Sequence, residues 1–307
     1  MSLVLSSLFP VFSLLLAGSL LKRLKLTNEM FLKVSDRLVY FIFFPVLLFW
    51  KIGGADADGF MDWHLCTAAL VSIAVIYLVS ALALKAFRIS NYKAGTFSQS
   101  CYRFNTYIGM AIAYYAFGEA GLKHFGILIG FAIPFINVLA VSTLVWYSGR
   151  AISSGRSLGI FFKEIGTNPL VLSCAAGLAY SNTVGTFPVF IDNSFRLLSA
   201  AALPLALISI GGALTVKGLK GNLGISTLAL VIKLLMLPLV GYFVLQQFQV
   251  TGLPFKVGML FFTLPTSPAI FVLSSQLNSD TELASASIVL STILSFLTLS
   301  AGLMLWS

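Results

Sequence analysis

In the apolar run "MLFFTLPTSPAIFVL", residues 259–273, stand Thr263, Pro265, Thr266, Ser267 and Pro268. Proline lacks the amide donor and clashes with the preceding turn, at a cost of about 3 kcal/mol inside a helix. Two of them so close together break the helix. A second group, Arg103, Asn105, Thr106 and Gly109, interrupts "QSCYRFNTYIGMAIAYYAFG". A broken helix leaves amide N–H groups at the start of its second half, and the helix dipole adds partial positive charge there. That is the chemistry of an anion site. Asn105, Thr106, Thr263, Thr266 and Ser267 supply neutral donors, which suit release of a carboxylate as well as its capture. Lys233 in "LVIKLLMLPLV" and Asn137 in "PFINVL" are two further polar residues in apolar surroundings. Plainer readings stand beside these. Asn105 and Asn137 fit helix–helix hydrogen bonds, Arg103 and Lys233 fit side chains that snorkel to a membrane surface, and Pro45 and Pro204 fit packing kinks.

The same inventory argues against an enzyme. His64 and His124, the two histidines, fall in loops on the outer side, and neither H-E-x-x-H nor G-x-S-x-G occurs. Cys66, Cys101 and Cys174 lie singly in apolar windows, without the spacing of a disulfide framework or a zinc site. No cofactor and no metal are expected.

These residues must be positioned by elements that live in lipid. The 307 residues are 58% hydrophobic and 9% charged, with a mean hydropathy of +0.97. A soluble domain carries about 25% charged residues, so this chain is expected to be an all-α integral membrane protein with the lipid bilayer as its partner. A window of about 20 apolar residues spans the hydrocarbon core. Ten such windows are read: Leu3–Leu21, Val34–Ile52, Leu65–Phe87, Gly95–Phe117, Phe125–Tyr147, Ile160–Tyr180, Leu197–Leu214, Leu223–Phe248, Val257–Leu277 and Ala284–Trp306. The alternation of transmembrane β-strands is absent. The first window is no signal peptide, because Lys22, Arg23 and Lys25 follow its apolar core and no basic residue precedes it.

The net charge of +9 is distributed by loop. Lys22, Arg23, Lys25, Lys33 and Arg37, then Lys85, Arg88 and Lys93, then Arg150, Arg156 and Lys163, then Lys217 and Lys220 fall in alternate loops. The intervening loops hold Asp56, Asp58, Asp62, Glu119 and Asp192. The positive-inside rule puts the basic loops in the cytoplasm and both termini outside the cell (inner) membrane. Asp280 and Glu282 are a mild exception. The charge orients the chain, and no nucleic-acid partner is implied.

An offset of 159 relates the halves. Pro10 maps to Pro169, Ala17-Gly18 to Ala176-Gly177, Pro45 to Pro204 and Gly53 to Gly212. Equivalent loops carry opposite charge, as in acidic 51–62 and basic 210–221, so the second copy is inserted upside down. The expected organisation is a first five-helix repeat at 1–148, a cytoplasmic Gly/Ser-rich linker at 149–159 and an inverted repeat at 160–307. Thr106-Tyr107 and Gly109 then map to Pro265-Thr266 and Pro268. Broken helices at corresponding places in two halves point to a transport site. Alternating access of a small organic anion is the reading that follows; an anion-selective channel and a sodium-coupled organic anion symporter remain open, as does a homodimer. Asn168-Pro169 reads as an N-cap followed by proline at the first helical position.

Across essentially its whole length the chain resembles the auxin efflux carrier family, within the bile/arsenite/riboflavin-transporter-like superfamily. The resemblance rests on "LAGSLLKRLKLT", "LVYFIFFPVLLFWKI", "RFNTYIG", "FINVLAVSTL", "NPLVLSCAAGL", "LPLALISIGGAL" and "LPTSPAIFVLSSQLNSD". It implies ten spans in two inverted five-span repeats, spans four and nine crossing at their breaks, and carboxylate substrates such as auxin, malate or malonate. By position, Asn105 matches the family's fourth-span asparagine and Pro265 its ninth-span crossing. Phe104 and Ala111 stand where the family usually has glycine and proline, which implies a softer fourth-span break resting on Gly109.

Overall fold

The computed structural model describes residues 2–54, 62–147, 166–214 and 219–306. The linker at 149–159 and the loop residues Asp56, Asp58, Arg150, Arg156, Lys163 and Lys217 lie outside the described residues, as does the start of the sixth window. Among the described residues the secondary structure is entirely helical. Five stretches are long and apolar enough to cross a membrane: Trp63–Ala86, Asn91–Tyr147, Val189–Ala213, Gly221–Gln247 and Thr281–Trp306. The chain is an integral membrane protein.

The first half supplies α1 (Ser2–Arg23), α2 (Glu29–Leu38), α3 (Phe44–Gly53), α4 (Trp63–Ala86), α5 (Asn91–Tyr102) and α6 (Thr106–Tyr147). The second supplies α7 (Pro169–Thr183), α8 (Val189–Ala213), α9 (Leu219–Val231), α10 (Leu237–Gln247), α11 (Gly252–Thr263), α12 (Ala269–Gln276) and α13 (Thr281–Trp306). Starts follow local chemistry. Asn168 Oδ1 accepts from Leu170 N at 3.0 Å and Val171 N at 3.4 Å, with Pro169 opening α7, as the sequence led us to expect. Gly118, at φ 66°, bends α6 in a conformation that a Cβ disfavours. His64 lies in the first turn of α4 and His124 within α6, not in loops, because the helices run past the apolar windows.

Two π-helical turns, Val39–Phe43 and Ile232–Met236, join α2 to α3 and α9 to α10. Each precedes a proline, Pro45 or Pro238, in the first turn of the next helix. The ring clashes with the carbonyl four residues back, and a widened turn relieves the clash. Pro45 thus sits at a bulge, whereas Pro204 lies inside α8.

The chain forms two compact units, each drawing on both halves of the sequence. The first comprises Met1–Asp62, Tyr107–Gly130 and Ile165–Leu214. There α1 packs on α8 and α3 on α7. Glycine makes the first pair possible: a Cβ on Gly18 would stand 2.1 Å from the Ile208 carbonyl oxygen, and one on Gly211 1.9 Å from that of Leu15. Small residues permit this approach in membranes, where packing rather than the hydrophobic effect joins helices. The second unit comprises Trp63–Thr106, Phe131–Glu164 and Thr215–Ser307. In it α4 packs on α10, α9 on α13, and α11 on both α10 and α13. The Phe262 ring occupies the space a side chain at Gly241 would need.

Candidate functional site

The site lies in the second unit, where two helices stop short. Each of α5 and α11 is 12 residues long, and an offset of 161 relates both their first and their last residues. After α5, Arg103 takes φ −66°, ψ 144°; after α11, Leu264 takes φ −65°, ψ 148°. The chain runs on without helix to Thr106 in one case and to Ala269 in the other.

Backbone without helix needs partners in a bilayer, because lipid supplies none. Here the two breaks satisfy each other. Asn105 N donates to Pro265 O at 2.8 Å. Thr266 Oγ1 donates to Ser100 O, a carbonyl near the end of α5, at 3.1 Å. Thr266 N donates to Ser291 Oγ of α13 at 3.1 Å. The Phe104 and Phe261 rings pack with centroids 4.4 Å apart. Arg103 and Asn105 are buried, and Arg103 Nη2 donates to Asn137 Oδ1 at 2.5 Å. Arg103 therefore points inward and does not snorkel, and Asn137 joins the site through it.

Several residues are placed differently from expectation. The first break falls on Arg103–Asn105, four to six residues before Gly109, which is helical and buried in α6. The offset across the breaks is 161, so Gly109 does not stand at the position equivalent to Pro268, and it belongs to the first compact unit. No glycine is needed, because Arg103 occupies the extended region open to every residue. Thr263 spends its hydroxyl within α11, on Met259 O at 3.1 Å and Leu260 O at 2.9 Å. Ser267 Oγ accepts from Ala269 N at 3.2 Å, and Ser267 O and Pro268 O take the next two amides. The start of α12 is thus internally capped, and what it offers a ligand is its dipole rather than a row of open amides. Thr106, Ser267 and Pro268 are half-buried, while Asn105, Thr263, Pro265 and Thr266 are buried.

Lys233 sits in the π turn before α10, fully buried. That turn packs on α4, α5, α11 and α13, beside the first half-helices. Asp280, the buried carboxylate among the described residues, is engaged elsewhere: Lys93 Nζ lies 3.7 Å from Oδ2, and Oδ1 caps Leu283 N at 2.9 Å. The buried ionisable groups nearest the breaks, Arg103 and Lys233, are both bases.

The family model described as a membrane transport protein matches residues 155–302. An uncharacterized transporter of Methanocaldococcus jannaschii is 23% identical over 296 residues, 94% of this chain and 94% of its own. An uncharacterized transporter of Methanothermobacter thermautotrophicus is 26% identical over 310 residues, 98% of this chain and 96% of its own. Residues 155–302 thus fit a membrane-transport family, and over nearly its whole length the chain is similar to these two transporters. The resemblance to the auxin efflux carrier family is borne out at that level.

The transporter also holds a polar cluster that the motifs did not single out. Thr96 Oγ1 lies 2.7 Å from Ser274 Oγ and 2.9 Å from Ser279 Oγ, and Gln99 Nε2 donates to Ser274 Oγ at 3.0 Å. These bonds tie α5 to α12 and so fix the angle at which the breaks meet. The sequence signal was the run "TFSQS", four polar residues in five, inside the fourth apolar window.

Proposed function

We propose that this transporter carries a small organic anion, a carboxylate, and binds it at the paired breaks of spans four and nine. The observation that carries the reading is that the buried ionisable groups around the breaks are bases, with no free acid beside them among the described residues. Arg103 and Lys233 are buried around the breaks, and the buried carboxylate of the described residues is already ion-paired to Lys93. Helix dipoles act in the same sense, since α6 and α12 both begin at the breaks with their positive ends. Thr106 and Ser267, half-buried there, offer hydroxyl donors, with Asn105, Thr263 and Thr266 behind them and Pro265 and Pro268 holding the second break open.

The architecture we propose is ten spans in two inverted five-span repeats, with both termini outside the inner membrane. Its support is the common offset of the helices. The stretch from Glu29 to Gly53 and α8 share an offset of 160 at both ends, and α5 and α11 share 161. The reversed loop charges of the two halves supply the inversion. Such a repeat favours alternating access, in which one bundle moves against another around a site near mid-membrane.

The test is transport of labelled malonate, succinate or acetate into proteoliposomes, with and without an imposed potential. Saturable uptake is expected, reduced about tenfold or more by Asn105→Ala, a loss equivalent to about 1.4 kcal/mol in the barrier. If the wild type moves none of the three, the anion reading falls. Unitary currents would make it an anion channel, and an absolute need for sodium would make it a symporter of that ion.

A further inference from the structure

Lys233 is more than a second basic residue near the site. It lies twelve residues from one end of the Gly221–Gln247 span and fourteen from the other. At 1.5 Å per residue that is about 18 Å of helix on the nearer side, beyond the reach of a lysine side chain. The residue is wholly buried, and Nζ has no hydrogen-bond partner and no carboxylate within ion-pair distance among the described residues. An ion held in protein without a partner costs several kcal/mol, and an ionisable group retained inside a membrane span points to function.

The surroundings say which partner is missing. The Ile232–Met236 turn packs on α5 and α11, the two half-helices that end at the breaks. Among titratable neighbours, the Cys101 thiol, in the last turn of α5, interacts electrostatically with the lysine. That thiol is itself engaged with Phe97 O at 3.3 Å. Tyr102 is turned towards Tyr77 of α4, ring centroids 6.0 Å apart. Lys93 is held by Asp280 and by Asn222. His64 and Lys85 stand near the two ends of α4, Tyr242 lies on α10, Lys256 near the start of α11 and Glu282 in the first turn of α13. None of these brings a negative charge to Nζ.

We infer that Lys233 binds a proton together with the transported anion, so that anion and proton occupy the transporter as a neutral pair. The proton adds to the Nζ lone pair, the carboxylate supplies the counter-charge the resting protein lacks, and no other bond forms or breaks. The two ligands then stabilise each other, and the effect is reciprocal: acid tightens anion binding, and the anion tightens proton binding. This rests on the anion reading above and adds a coupling ion to it. A carboxylate relay is not required, since the ammonium does the work that a buried acid does in other proton-coupled carriers.

The experiment uses the full-length protein in nanodiscs, in weakly buffered solution, with malonate, succinate and acetate as probes. Binding by the wild type is expected to take up as much as one proton per anion. Apparent affinity should rise about tenfold for each pH unit of acidification across the range in which the proton is gained. Lys233→Arg keeps the charge at every pH, so its binding should persist and lose this pH dependence. Lys233→Met should bind without proton uptake. Anion binding by the wild type with no proton uptake, or unchanged pH dependence in Lys233→Arg, overturns the inference. A lysine that merely balances the half-helix dipoles would give that result. If no probe binds the wild type at any pH, the anion reading itself is what fails.

Discussion

Ser291 gives the sharpest test of how the ninth-span break is held. Its hydroxyl is buried, donates to Ile288 O at 3.0 Å and accepts from Thr266 N at 3.1 Å. Removing the oxygen in Ser291→Ala leaves the Thr266 amide buried with that acceptor gone, in a stretch where helical bonding has already been given up. Leaving a buried donor unsatisfied costs about 1–3 kcal/mol. The internal control is Ser295, one turn further along α13 and equally buried, whose hydroxyl donates to Thr292 O at 2.9 Å within its own helix. Deleting that hydroxyl orphans no amide, and its helical carbonyl keeps its backbone partner. Ser295→Ala should therefore cost well under about 1 kcal/mol. Thermal unfolding in detergent, or chemical unfolding read by tryptophan fluorescence, measures both. Equal losses for the two variants would refute the claim that α13 supplies the break with its hydrogen bond.

Two further outcomes follow from the packing. Gly211→Val puts carbon where the Leu15 carbonyl stands, 1.9 Å away, so the α1–α8 contact cannot survive and the yield of monodisperse protein should collapse; Gly224→Ala meets nothing within 4 Å and should stabilise by up to about 1 kcal/mol. Arg103→Lys and Asn137→Ala should be non-additive in unfolding, with a coupling of about 0.5–3 kcal/mol, because one hydrogen bond joins the two side chains.

The two breaks show what a sequence can and cannot declare. The ninth-span break was legible because Pro265 and Pro268 forbid helix by their own covalent structure. The cap at Asn168-Pro169 was legible for the same kind of reason, a local side chain answering a local amide. The fourth-span break has no such residue. Arg103, Phe104 and Asn105 can all be helical, and a search for a breaker settles on Gly109, several residues too late. What opens the helix at Arg103 is a partner far away in sequence: Pro265 O waits for Asn105 N, and Asn137 waits for the guanidinium. The proline-driven break thus templates the other one, through an acceptor that the first break leaves unused. The same logic hid Lys233. In sequence it is a lysine in an apolar run with room to reach either surface, and only the packing of its turn against α4, α5, α11 and α13 removes that freedom. Composition fixed the medium and proline fixed one break, but the second break and the buried charge depend on pairings that no local window contains. Replacing both prolines, Pro265→Ala with Pro268→Ala, should then do more than straighten α11 into α12. With helix restored there, Pro265 O is taken by its own helix, Asn105 N loses its acceptor, and Arg103–Asn105 should gain protection from hydrogen exchange as α5 extends into α6. Helix gained only between α11 and α12, with the amides of Arg103–Asn105 unchanged, would show that the breaks form independently.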